Sequence, residues 1–348
     1  MLNIRSNRIA DEAGKDLTPE FGRRLGRAVA ETLKNKGTVA LAGGSGAAET
    51  RRAVAEGLSA GGCVVADAGT QPAFLADFAR RLLRADALVL VREGEGAALF
   101  FGAAPASASR MKSLKTLMEG GALPDVAGGG VEAWEEDVHE EYAAWIRRSA
   151  PAAAKGRTLK AVLFAPAGVP AELVRRAVAG RPGVAWEVVA TGETGRCGSA
   201  TLAALGDRVK TDAADLGVAL SQDGLVARLV DEKGKALTPD TAGLIYVRRL
   251  FKDLKGKKVA VDGRASSALV EGIKEAGGSV IFAGGGLEGV LARGVAEGAA
   301  LTLGPDGEVA FGDMKGTVDG LYAALRLAEA LRQGEDSLSK LRLAVPAA

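Results

Sequence analysis

The chain has 348 residues, 47% of them hydrophobic, with 45 Lys and Arg against 43 Asp and Glu for a formal net charge of +2. That length suggests two or three domains, and the charge balance excludes nucleic acid or an anionic membrane as the main partner, since both reward clustered cations. With two cysteines and one histidine, a disulfide framework, a Cys/His metal site and most imidazole-assisted nucleophiles are excluded as well.

The opening residues, MLNIRSNRIADE, lack the apolar run of a signal peptide, and no apolar stretch is long enough to span a bilayer. A cytoplasmic protein is expected. Apolar residues at helical spacing predict a helix over 19–34. Residues 38–69, TVALAGGSGAAETRRAVAEGLSAGGCVVADAG, then run through an apolar strand, a small-residue turn, an amphipathic helix, a Gly break and a second strand. Val54, Ala55 and Leu58 share the core face of that helix. Its turn, Gly43, Gly44, Ser45 and Gly46, is a candidate anion-binding site, because backbone N–H groups converge where a helix begins. Such turns also serve plain chain reversal, and Glu49 stands beside this one. Cys63 lies in an apolar run and is expected in the core; Cys197 is expected as a free thiol in a Gly-rich loop. A helix over 74–83 and strands over 87–91 and 98–101 follow. A helix over 132–148, carrying an exposed His139, leads to the small-residue joint SAPAAAKG.

The strand–turn–helix–break–strand pattern returns at 160–190, KAVLFAPAGVPAELVRRAVAGRPGVAWEVVA, and at 257–286, KKVAVDGRASSALVEGIKEAGGSVIFAGGG. Connections of this length imply parallel strands with helical crossovers. Three copies therefore predict an α/β protein of three tandem repeated α/β/α domains with mostly parallel mixed sheets, over 1–148, 149–254 and 255–348. Near the end, LGPDGEVAF reads as a Pro-Asp-Gly hairpin between strands at 301–303 and 308–311, before a helix over 318–331.

Four pieces in order carry a resemblance: KDLTPEFGRRLGRAVAETL (15–33), AVAEGLSAGGCVVADAGTQPAFLADFA (53–79), TLAALGDRVKTDAADLGVAL with VDEKGKALTPD (201–220, 230–240), and VDGLYAALRLAEAL with SLSKLRLAVP (318–331, 337–346). Together they resemble the α-D-phosphohexomutase superfamily over nearly the whole chain. The resemblance implies four domains around a cleft. A phosphoserine of the first exchanges a phosphoryl group with a hexose phosphate, and Mg2+ sits between it and three aspartates of the second. The third domain reads the sugar and the fourth grips the other phosphate. Phosphoryl transfer asks a protein mainly to align the groups and neutralise spreading charge.

The same alignment puts other residues at those positions. Gly94, in ALVLVREGEGAALFFG, falls on the phosphoserine, with Glu95 and Gly96 on its His and Asn. Ser107 and Ser109 follow the next strand and are not expected to replace it. Ser221, Asp223 and Leu225 of SQDGLV stand for the three aspartates, and Val226 for the Arg behind them. Arg8, Ala10 and Asp11 stand for Asp, Arg and Gly of the opening motif; Gly304, Asp306 and Glu308 for Glu, Ser and His of the sugar loop. FAGGGLEGV lacks the Lys and His of its counterpart, and no counterpart of the fourth domain is expected. Magnesium wants several hard oxygen ligands, so no cofactor is expected where the family uses Mg2+. Arg228 is expected as a solvated strand residue. Leu225, Val226, Phe100 and Phe101 put apolar groups where ligand chemistry belongs, as a contact surface or as core filling. The reading is a catalytically silent phosphohexomutase-fold protein that binds a protein partner or itself. The alternatives are a sugar-phosphate or anion binder without turnover, or an atypical active phosphomannomutase or phosphoglucomutase of carbohydrate metabolism.

Overall fold

A computed structural model describes residues 2–5, 8–10, 18–92, 96–102, 104–150, 152, 155–192, 197–250, 254–314 and 317–345. Two compact units divide the chain, Met1–Glu140 and Glu141–Ala348.

The first unit runs β1 (Asn3–Arg5), β2 (Arg8–Ala10), α1 (Pro19–Thr32), β3 (Thr38–Gly43), α2 (Ala48–Ala60), β4 (Val64–Thr70), α3 (Ala73–Leu82), β5 (Ala87–Arg92), β6 (Gly96–Phe101), β7 (Ala104–Pro105), α4 (Ala108–Glu119) and β8 (Gly130–Ala133). Its sheet is ordered β1-β2-β6-β5-β3-β4-β8, with β7 beside β6. Strands β3 and β5 are buried along almost their whole length, as parallel strands covered on both faces must be. Helix α1 starts because Thr18 accepts the Phe21 N–H and Pro19 supplies the first-turn φ. It crosses α2 at backbone distance: a Cβ on Gly26 would lie 2.4 Å from the Val54 carbonyl oxygen. Helix α5 (Glu135–Ser149) carries the chain into the second unit.

The second unit holds two sheets. One is built from β9 (Leu159–Ala165), α6 (Ala171–Val178), β10 (Val184–Ala190), α7 (Ser199–Thr211), β11 (Leu216–Leu220) and β12 (Ala227–Asp231), with α8 (Pro239–Leu250) following. The other comprises β13 (Lys258–Asp262), α9 (Ser267–Glu275), β14 (Ser279–Ala283), α10 (Gly286–Ala296), β15 (Leu301–Leu303) and β16 (Val309–Phe311). Helices α11 (Gly320–Gln333) and α12 (Leu338–Leu343) complete the unit. The orders are β10-β9-β11-β12 and β14-β13-β15-β16. Each sheet pairs its first three strands in parallel and closes with an antiparallel hairpin. The segment β4-β3-β5-β6 of the first unit has the same arrangement. The α/β class and the threefold repeat expected from sequence are both present. Within this unit, the buried Tyr142 hydroxyl donates to both carboxylate oxygens of Asp319, at 3.1 and 2.9 Å, and Asp319 caps α11 by accepting the Tyr322 N–H.

Two local expectations are corrected. The helix expected from 132 begins at Glu135, because residues 130–133 form β8, paired parallel to Val64–Asp67 at the sheet edge. His139 is half-buried, not exposed; its Nε2 lies 2.9 Å from Oε1 of the buried Gln71. Within FAGGGLEGV, α10 begins at Gly286, after Gly285 takes a left-handed φ of 88°.

Candidate functional site

In an open α/β sheet, ligands bind beyond the carboxyl ends of the parallel strands. In the second unit two hairpin tips occupy that place, one after β11 and one after β15. The first holds Ser221, Asp223 and Leu225. Ser221 N–H donates to the Val226 carbonyl at 2.9 Å, and Gly224 N–H to the Ser221 carbonyl at 2.8 Å, with Gly224 at φ 70°. The Ser221 hydroxyl donates to Asp223 Oδ1 at 2.6 Å and accepts the Val226 N–H at 2.9 Å. The Leu225 N–H donates to the same Asp223 oxygen at 3.1 Å. Ser221 and Val226 are buried, while Asp223 and Leu225 are half-buried. Arg228, expected in solvent, is half-buried on β12.

The second tip follows the same plan. Gly304 N–H donates to the Glu308 carbonyl at 2.8 Å, and Gly307, at φ 98°, sends its N–H to the Gly304 carbonyl at 3.3 Å. Glu308 is 93% buried, and Oε2 of its carboxylate accepts the Asp306 N–H at 2.9 Å. Burial pushes its carboxyl above the usual range; the accepted backbone hydrogen bonds oppose this, and the charges of Asp306 and Asp223 add to it. The tips meet: Val226 and Glu308 form an isolated antiparallel bridge. The Gly320 N–H at the start of α11 donates to the Gly224 carbonyl at 2.9 Å. A Cβ on Gly320 would stand 2.8 Å from the Val226 carbonyl carbon, so only glycine fits there.

A cavity of about 140 Å3 opens beside the second tip, lined by Asp240, Asp262, Arg264, Leu269, Pro305 and Glu308 among others. Its carboxylates already have donors. Asp240 accepts the Ser266 N–H at 2.7 Å; Asp262 accepts the N–H and Nε of Arg264 at 3.1 and 2.7 Å. The Arg264 hydrogen bond holds the Asp262 carboxyl below its usual value despite burial. The site can recognise polar groups, but it presents no nucleophile beside a base.

Nor do these residues suit a magnesium ion. Of the three positions, Ser221 and Leu225 carry no carboxylate, and Asp223 Oδ1 is engaged by a hydroxyl and a backbone N–H. Among the described residues no group of three or more His, Cys, Asp or Glu is arranged to hold a metal.

In the first unit, Gly94 lies outside the described residues, between β5 and β6. Ser107 caps α4 by accepting the Arg110 N–H at 3.3 Å, and its hydroxyl lies 3.0 Å from that of Ser109. The turn at Gly43, Gly44, Ser45 and Gly46 leaves β3 into a short 3-10 helix, Ser45–Ala47, ahead of α2. Its Gly44 N–H is taken by the Val91 carbonyl at 2.9 Å, which pins the turn to the sheet. Arg51 packs against Gly43; its Nε sits 3.4 Å from Asp67 Oδ1, and Nε and Nη1 are buried without a hydrogen bond. That guanidinium escaped the sequence reading, because nothing in TRRAVAE tells which arginine turns inward. Phe101 and Val226 are buried, as core filling requires, and Cys63 is buried with its thiol pushed up to about 11 by burial. No helix among the described residues is long and apolar enough to cross a membrane.

Residues 238–347 match the family model for the phosphoglucomutase/phosphomannomutase alpha/beta/alpha domain III. Over 148 residues, 42% of this chain, the sequence is 30% identical to a phosphoglucosamine mutase of Nitratidesulfovibrio vulgaris, and the match spans 33% of that protein. A phosphoglucosamine mutase of Bartonella quintana is 27% identical over 148 residues, 32% of its length. The chain thus spans about a third of the curated relatives it matches. Its fold is similar to that of a phosphoglucomutase/phosphomannomutase family protein from Burkholderia thailandensis, with TM-score 0.83 and 23% identity over 99% of this chain and 79% of that one. A phosphomannomutase-like structure from Thermus thermophilus aligns with TM-score 0.79 and 16% identity, over 94% of this chain and 79% of that one.

Proposed function

We propose that the chain is a member of the α-D-phosphohexomutase superfamily that no longer transfers phosphoryl groups and acts in the cytoplasm by binding another protein. One observation carries this reading. The hairpin that would present three metal-binding aspartates is closed on itself through Ser221 and Asp223, and bridged to Glu308 of the neighbouring sheet. Gly94 at the nucleophile position supports it, since glycine has no side chain to phosphorylate. Function follows a site, not a fold, and here the scaffold persists around a tip that satisfies its own polar groups. The test is turnover of glucose 1-phosphate, mannose 1-phosphate and glucosamine 6-phosphate with a bisphosphate activator and magnesium, alongside intact-mass analysis. The expected result is neither enzyme-dependent product nor phosphoserine. Product, or a stoichiometric phosphoryl adduct, overturns it. Co-purification from native cells identifies the partner.

A second reading rests on Arg51. Two buried guanidinium nitrogens without hydrogen bonds, next to a Gly-rich turn at a helix start, suit an anion such as the phosphate of a sugar phosphate. It requires a melting-temperature rise with sugar phosphate that Arg51→Ala abolishes.

A further inference from the structure

Arginines from separate parts of the sequence converge on one face of the second unit. Arg147 and Arg148 end α5, Arg175 and Arg176 end α6, and Arg181 lies in the turn entering β10. The Arg147 Nη1 donates to the Arg176 carbonyl at 3.1 Å, and Arg181 Nη2 to the Ala150 carbonyl at 3.1 Å, which joins the two helix ends. The first four are exposed and Arg181 is half-buried. Glu172 pairs with Arg175 at 3.4 Å and with Arg176 at 3.6 Å. Arginines favour helix C-termini because the dipole is negative there, which accounts for each pair alone. Four exposed arginines at two helix ends joined by Arg147 and Arg181, with Glu172 as the carboxylate paired to them, are a further matter, since the whole chain carries a net +2.

We infer that this face docks an extended, carboxylate-rich segment of a partner protein. The inference rests on the proposed non-catalytic function, and names the chemistry of its partner. The fork of a guanidinium matches a carboxylate with two parallel hydrogen bonds. The face already holds one carboxylate, Glu172, shared between two arginines. A nearly neutral molecule offers little of the long-range field that nucleic acid rewards. Arg181 precedes β10, so the face lies toward the amino ends of β9 and β10, away from the hairpin tips.

Fluorescence anisotropy of a labelled oligoglutamate peptide with the full chain tests this. Saturable binding is expected, weakened about tenfold or more by the combined variant R147E/R148E/R175E/R176E, as exposed pairs of a few tenths to 1 kcal/mol each would give. R293E, on the exposed face of α10, should leave the affinity within about twofold. If the fourfold variant fails a circular-dichroism check, R147Q/R148Q serves instead, with a smaller loss. Absence of saturable binding, equal affinity in the variants, or tighter binding of oligothymidylate than of oligoglutamate overturns the inference. Mutase turnover with this binding intact would sink only the non-catalytic reading, and silence in both assays only this one.

Discussion

In the second sheet, the residue before the hairpin tip, Ser221, sends its N–H across to Val226; in the third, Gly304 does the same to Glu308. Both turns contain Asp-Gly, and both glycines have positive φ. The side chains then diverge. At the first tip a serine hydroxyl and an aspartate satisfy one another, and an apolar valine is buried. At the second a glutamate folds back on its own turn and is buried as the polar member. One backbone plan thus tolerates two solutions, provided every buried polar atom finds a partner inside the tip. That is how such a loop stays ordered without a metal ion to hold it.

Breaking the contact between the tips gives the largest effect. Val226→Asp places an unpaired charge in a buried bridge near Asp223 and Glu308, and should destabilise by about 3–5 kcal/mol in chemical denaturation. Gly320→Ala drives a methyl into the backbone of the first tip and should cost about 2 kcal/mol. Ser221→Ala removes an acceptor from the Val226 N–H and a donor from Asp223, for about 1–2 kcal/mol.

The subtlest effect sharpens the comparison instead of breaking it. Because Glu308 titrates higher folded than unfolded, the folded state holds its proton longer. Its contribution is fully present below the ordinary value near 4.5 and is lost as pH rises through the folded value. The melting-temperature difference between wild type and Glu308→Gln should therefore change with pH in that window, the wild type losing ground as pH rises. A difference that stays constant with pH would show that burial at the second tip does not raise the Glu308 carboxyl.

The repeat was visible along the chain because buried parallel strands are continuous apolar runs and their crossover helices keep a 3.6-residue period. The hairpin at 301–311 was equally plain, since Pro-Asp-Gly announces a turn. Strand β8 was missed because four residues at a sheet edge, followed at once by a helix, leave too short an alternation to detect. His139 was misjudged because its partner Gln71 is remote in sequence.

The amino-acid sequence by itself determined the elements of the repeat, their threefold recurrence and the identity of the side chains at each hairpin tip, since these depend on local periodicity and turn chemistry. Only the tertiary structure decided that Val226 bridges Glu308, that Gly320 must be glycine, and that Arg147 and Arg181 join the ends of α5 and α6. Those are contacts between residues far apart along the chain, and helix and strand periods carry no information about which distant side chains meet.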